Sequence, residues 1–169
     1  RRGDAREAVL EYAETGERQI VRFDMLHATP PMSAPDFIRR SPLANPDGWV
    51  ETDRSSLRHP RFANIFALCD AAGLPTSNTG AAIRAQAPVL VENRACALQG
   101  KSLSATYKGY TSCPLVTGYG SLVLAEFDYE LNPQETFPFD QSRERYSMYL
   151  LKKHLLPAMY WNGMLKGFV

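Results

Sequence analysis

The side chains with reactive potential are three cysteines, three histidines and one carboxylate that follows an apolar run, and their spacing sets them apart. Cys113 stands in Gly109-Tyr-Thr-Ser-Cys-Pro-Leu-Val-Thr-Gly-Tyr119. Pro114 fixes φ directly after the thiol and removes a backbone donor. Gly109 and Gly118 permit turns on either side. The pattern predicts a cysteine held in a tight turn between two strands. Such a thiol is a nucleophile or redox group once ionised, because the thiolate is the reactive form. A buried, inert hairpin cysteine satisfies the same pattern, and a lone cysteine does not decide between the two. No second Cys or His lies close enough in sequence to make it one of a pair of metal ligands, and its only local cation is Lys108, five residues back.

The remaining reactive types point to less. Cys96 falls within a helical pattern and reads as packing, and Cys69 directly precedes Asp70. None of the three cysteines forms a CxxC pair, which argues against a zinc site and against a disulfide-stapled scaffold. His27, His59 and His154 are scattered and lack ligand spacing, so each reads as a surface or hydrogen-bonded residue. No metal is expected. A net charge of +1 over 169 residues gives no argument for nucleic acid. Apolar content of 44% against 22% charged residues suits a globular chain. No apolar run reaches the roughly 18 residues that a membrane-spanning helix needs.

The elements that must position these residues read as follows. Residues 7–12 and 18–23 pattern as strands joined by a loop whose Gly16 suits a hairpin. Residues 24–31 read as a buried strand ended by Pro30 and Pro31. The proline-rich stretch 32–48 reads as a loop with one short helix near 36–39. Residues 49–53 read as a short strand, and the apolar run 64–68 as a buried strand that delivers Asp70. The strongest helix opens at residues 76–80 with Ser77 or Thr79 as N-cap. Its apolar face is Ile83, Ala87, Leu90, Val91, Ala95 and Leu98. Pro88 should kink it and Gly100 end it. Residues 105–110 and 121–129 read as the strands flanking Cys113, with Val123, Ala125, Phe127 and Tyr129 as the apolar face. A last helical region follows Phe137-Pro-Phe139, capped by Asp140 or Ser142. The closing residues 155–169 mix Leu, Met and aromatics with lysine. That composition suits either a segment lying in a membrane interface or a helix packed on the core.

Three longer motifs carry a family resemblance. Tyr110-Thr-Ser-Cys-Pro-Leu-Val-Thr-Gly, Leu124-Ala-Glu-Phe-Asp-Tyr129 and Glu135-Thr-Phe-Pro-Phe-Asp-Gln141 resemble the C-terminal part of sulfide:quinone oxidoreductases, the type found in mitochondria and many bacteria. The resemblance runs from about Met25 to the end. It implies an α+β fragment of an α/β flavoprotein with two dinucleotide-binding, Rossmann-like domains, closed by a C-terminal β-hairpin and helices. Residues 1–31 would end the second nucleotide-type domain and return the chain, residues 32–100 would form the C-terminal half of the FAD domain, and residues 101–169 would carry the redox-cysteine hairpin and the membrane- and quinone-associated helices.

The same resemblance implies chemistry. Cys113 matches the second of two redox cysteines. Sulfide would attack a disulfide or trisulfide between Cys113 and a partner cysteine. One sulfur would leave as a persulfide for an acceptor thiol or sulfite, and two electrons would pass through FAD to quinone. Asp70 would hold the ribityl chain of FAD, and Ser77, Asn78 and Thr79 would bring a helix N-terminus to the flavin ring. The family normally has glycine where this chain has Cys69, and often lysine where it has Asn78. Phe137, Phe139, Tyr160 or Trp161 are the candidates to bracket a quinone ring. The protein would sit peripherally on the bacterial or mitochondrial inner membrane, with homo-oligomers possible. The opening at Arg1, the upstream partner cysteine and the absent Gly-rich pyrophosphate loop read as a fragment lacking its N-terminal half, and alone it should be colourless and inactive. Two other readings remain: a flavoenzyme resembling type II NADH:quinone dehydrogenase, and a non-enzymatic, membrane-associated homologue.

Overall fold

The computed structural model describes residues 4–168. They form an α+β structure in two units, one ending at Met32 and the other beginning at Ser33.

In the first unit, β1 (Glu7–Glu11) and β2 (Arg18–Arg22) make an antiparallel hairpin, as the alternation predicts. Gly16 takes φ +69° in the connecting loop, and its N–H donates to the Tyr12 carbonyl at 2.8 Å. Register is reinforced by cross-strand ion pairs, Arg18 to Glu11 at 2.7 Å and Arg22 to Glu7 at 3.3 Å. Residues 24–31, expected as a buried strand, are neither. They run without strand structure, and Met25 is 86% exposed. An apolar run becomes a strand only where a partner edge takes up its backbone groups, and here β1 and β2 pair only with each other.

The second unit opens with α1 (Asp36–Arg39), at the place the sequence predicts. The expected strands at 49–53 and 64–68 reduce to isolated bridges, Val50 with Ala44 and Ala72, and Phe66 with Arg58. Loop hydrogen bonds replace a ladder there: Val50 N–H donates to Ala71 O and Gly73 N–H to Val50 O, both at 2.9 Å. Their apolar residues still do core work. Val50, Ala67 and Ala72 pack with Ala34 and Ile38 as one buried cluster.

Helix α2 (Gly80–Leu98) follows. Thr79 is the N-cap, its hydroxyl accepting from the Ala82 N–H at 3.1 Å. The C-terminus is a Schellman arrangement: Gly100, at φ +68°, donates to Ala97 O, and Lys101 to Cys96 O. The assignment of helix runs unbroken through Pro88. The buried face is not the predicted apolar one. Ala82, Gln86 and Asn93 are buried, while Val91 and Leu98 are 64% and 74% exposed. Asn93 decides this. Its Nδ2 donates to Ser56 O and Ala105 O, and its Oδ1 accepts from the Ser104 and Ala105 N–H groups, all between 2.9 and 3.1 Å.

Residues 105–110 are irregular rather than a strand. The antiparallel pair is β3 (Thr111–Gly118) with β4 (Ser121–Phe127), joined around Tyr119 and Gly120. On β4 the buried residues are Leu122, Leu124 and Glu126, the face opposite to the one expected. Leu122 and Leu124 pack with Met148, backed by Phe137, Phe139 and Tyr149. The last helical region runs as α3 (Tyr146–Leu150), a π-turn segment (Leu151–Leu155), α4 (Leu156–Asn162) and a 3₁₀ turn (Met164–Lys166). The widened segment ends two residues before Pro157, which has no N–H for the helical ladder. Neither Asp140 nor Ser142 caps α3. Arg145 is its N-cap, and the Asp140 carboxylate instead accepts from the Ser142 N–H and from Arg143. Among the described residues no helix is long and apolar enough to cross a membrane.

Candidate functional site

Cys113 lies in strand β3 opposite Ala125, not in a tight turn, and its thiol is exposed. The turn falls later, at Tyr119 and Gly120, where Gly120 takes φ +74°. Pro114 is tolerated because β3 has a partner on one side only, so its missing N–H breaks no second ladder. Lys152 from the π segment donates to the Pro114 carbonyl at 3.1 Å, which ties the thiol's strand to the C-terminal helices.

A cavity of about 450 Å³ opens beside Cys113. Thr79, Gly80 and Ala81 from the start of α2 line one part of it. Leu155, Leu156, Met159 and Tyr160 line another, and Phe137 a third. Four of the sequence-predicted residues therefore share one cavity: Cys113, Thr79, Phe137 and Tyr160. Phe139 stacks on Phe137 at 5.4 Å, beneath the Arg145 guanidinium, and does not line the cavity. Trp161 meets Tyr160 edge-on at 5.1 Å but is 64% exposed and outside it.

The cavity also holds a polar group that the sequence did not reveal. Glu126 is buried, and its carboxylate accepts from the Tyr110 hydroxyl, the Thr136 N–H at 2.9 Å, the Thr136 hydroxyl at 2.7 Å and Gln141 Nε2 at 2.6 Å. Burial alone would raise this carboxyl. The bonds from Tyr110, Gln141 and Thr136 outweigh burial and hold it below the usual carboxylate range. Burial and the bond to Glu126 push the Tyr110 hydroxyl up. Gln141 Oε1 in turn accepts from the Phe137 N–H at 2.7 Å, so the Glu126 network fixes the aromatic wall. Arg84, on the second turn of α2, lines the same cavity. The donors to Glu126 come from 10 to 16 residues away in sequence. The one signal was a carboxylate inside an otherwise apolar strand.

Asp70 sits in a 3₁₀ turn (Cys69–Ala71) and is exposed, outside the cavity lining. Cys69, immediately before it, is buried at φ +45°, in the left-handed region that favours glycine. Its N–H donates to Gln86 Oε1 at 2.8 Å, which anchors the turn to α2. Burial and the neighbouring Asp70 carboxylate raise the Cys69 thiol. Ser77 is exposed, and its carbonyl accepts from the Thr111 hydroxyl at 3.1 Å. Asn78 is half-buried. The Thr79 hydroxyl pairs with that of Thr111 at 3.1 Å, binding the start of α2 to the strand of Cys113. His59 is buried and satisfied, between the Leu43 carbonyl and the Arg61 N–H. Among the described residues no three His, Cys, Asp or Glu side chains cluster to hold a metal.

A flavin, which the sequence resemblance implies, would need open space at the helix end and an acceptor for its hydroxyls. At Gly80, the first residue of α2, an added Cβ would meet nothing within 4 Å, so the helix N-terminus faces open space beside the cavity. That geometry suits the ring end of the cofactor, and the exposed Asp70 suits sugar-like hydroxyls. These residues fit the group.

Comparison with known proteins adds the family. The chain is 49% identical over 168 residues to mitochondrial sulfide:quinone oxidoreductase of Mus musculus, covering 99% of this chain and 37% of that protein. It is 46% identical to the Dictyostelium discoideum protein of that name, covering 98% of this chain and 36% of the relative. The Schizosaccharomyces pombe protein is 47% identical, with 95% and 36% covered. This chain is related to the sulfide:quinone oxidoreductases and matches a C-terminal part of them. It spans a little over a third of the length of these relatives. No protein-family model matches. Among solved structures, a chain from a cryo-EM structure of the Tetrahymena thermophila mitochondrial ATP synthase is similar with a TM-score of 0.76 and 27% identity, over 95% of this chain and 40% of that one.

Proposed function

We propose that this chain is the redox-cysteine and quinone-binding part of an FAD-dependent sulfide:quinone oxidoreductase with two dinucleotide-binding domains. The observation that carries the reading is the exposed Cys113 thiol opening onto the same cavity as the start of α2, Phe137 and Tyr160. A sulfur site, a flavin-facing helix end and an aromatic-walled pocket are thereby brought together.

In this reading Cys113 is one of two redox cysteines. Sulfide attacks a disulfide or trisulfide that joins Cys113 to a partner cysteine, the S–S bond breaks, and one sulfur ends as a persulfide that passes to an acceptor thiol or sulfite. The sulfide sulfur loses two electrons overall, and quinone gains those two electrons with two protons. FAD, when bound, supplies the two-electron relay between them. Asp70 would accept hydrogen bonds from the ribityl hydroxyls. The N-terminal end of α2, Gly80 with its N-cap Thr79 and the preceding Ser77 and Asn78, would present partial positive charge to the ring. Phe137 and Tyr160 flank the quinone. The C-terminal segment docks on the mitochondrial inner membrane without crossing it, through Trp161, Leu165 and Phe168, all more than half exposed. Alone, this chain does not turn over.

The test is sulfide-dependent reduction of a short-chain ubiquinone by the full-length protein. Cys113→Ser should abolish it. Retained sulfide-dependent turnover in that variant would refute the role of Cys113, and NADH-dependent turnover unaffected by the variant would favour an NADH:quinone enzyme.

A second reading is a non-enzymatic homologue held in a larger assembly. The similar fold within the Tetrahymena thermophila mitochondrial ATP synthase structure favours it. It predicts full-length protein that purifies without flavin and migrates with a large complex.

A further inference from the structure

We propose that Arg84 grips the ring oxygen of the quinone and selects for that head group. The inference rests on the quinone reading of the cavity. Most of the lining is apolar, and two charged side chains face it, Glu126 and Arg84. Glu126 is fully engaged by Tyr110, Thr136 and Gln141. Arg84 is half-buried, and among the described residues it makes no ion pair and its guanidinium no hydrogen bond.

A guanidinium offers five donors and no acceptor, so its cavity partner must be an acceptor. The Tyr110 hydroxyl proton is committed to Glu126, so Tyr110 does not offer that proton to a ligand in the cavity. Arg84 and Tyr110 both line the cavity. The cavity therefore combines this cation with apolar walls that include Phe137, Leu156 and Tyr160. A quinone is a flat apolar ring whose polar atoms are acceptors only, and it matches this arrangement. Negative charge builds on its oxygen as two electrons arrive, and a charge-assisted bond from Arg84 strengthens as it does so. Arg84 keeps its own proton, and the two protons of the quinol come from solvent.

The experiment separates the two half-reactions of the full-length protein by stopped flow. Arg84→Ala and Arg84→Gln should leave anaerobic flavin bleaching by sulfide at the wild-type rate. Both should raise the KM for decylubiquinone about tenfold, the scale of one charge-assisted hydrogen bond. Arg84→Lys, which keeps a cation but loses the fork, should fall between them and the wild type. An unchanged KM in Arg84→Ala would overturn the proposal. So would slowed bleaching by sulfide with an unchanged KM, which would assign the cation to the Cys113 thiolate instead. Wild-type flavin that sulfide bleaches but decylubiquinone fails to reoxidise would overturn the quinone reading itself.

Discussion

At Cys69 the backbone passes through φ +45° with a β-carbon attached, a conformation costing an ordinary residue about 1–2 kcal/mol. Cys69→Gly should therefore be more stable than Cys69→Ala by about 1 kcal/mol in urea titration, although both lose the buried sulfur. Equal stabilities would mean the turn relaxes without strain. The sequence already marked this position, because the resembled family carries glycine there. Glu126 was less legible, since a carboxylate in a strand gives no sign of donors that tertiary structure brings to it. Its folded pKa lies below the ordinary value of 4.5, so its contribution is present above that value and is lost as pH falls through the folded value. Glu126→Gln turns one acceptor oxygen into a donor facing donors. It should cost about 2 kcal/mol at pH 7 and progressively less as pH falls below 4.5, read by chemical denaturation at a series of pH values.

Helix α2 buries polar residues and leaves apolar ones outside, and the stability of the two faces should differ accordingly. Asn93→Ala strands two N–H donors and two carbonyls that the side chain now satisfies, and should cost about 3 kcal/mol or more. Leu98→Ala, on the exposed face, should stay within about 0.5 kcal/mol. The reverse ranking would show that the apolar stripe is the packed one. Periodicity placed this helix, Gly100 marked its stop, and residue type narrowed the cap to Ser77 or Thr79, of which Thr79 is the one used. It did not place the buried face, because Asn93 reads as polar until Ser104 and Ala105 fold back upon it. Strand β4 follows the same logic: alternation located it, but Leu122, Leu124 and a satisfied Glu126 took the inner face. The strands expected at 49–53 and 64–68 failed for a different reason, as their backbone groups are met by turns.

On the scale of the whole molecule, the two hairpins, the long helix and the helical C-terminus were legible in outline. Cys113, Phe137 and Tyr160 were separate candidates in the sequence, and their sharing of one cavity was not legible. Nor was the exclusion of Phe139 and Trp161 from that space, because neighbours in sequence point to different sides of the wall. In the proposed function the exposed Trp161, Leu165 and Phe168 serve as an interfacial anchor. Replacing all three with serine should release the protein from anionic lipid vesicles in co-sedimentation, and undiminished binding would place the membrane contact elsewhere. The central claim is that sulfide delivers its electrons through Cys113. Its most direct test is an anaerobic titration of the full-length protein with sulfide, following the visible absorbance of the flavin. The account predicts bleaching at near-stoichiometric sulfide in the wild type and none in Cys113→Ser, and it would be contradicted by flavin that stays oxidised in the wild type or bleaches equally in both.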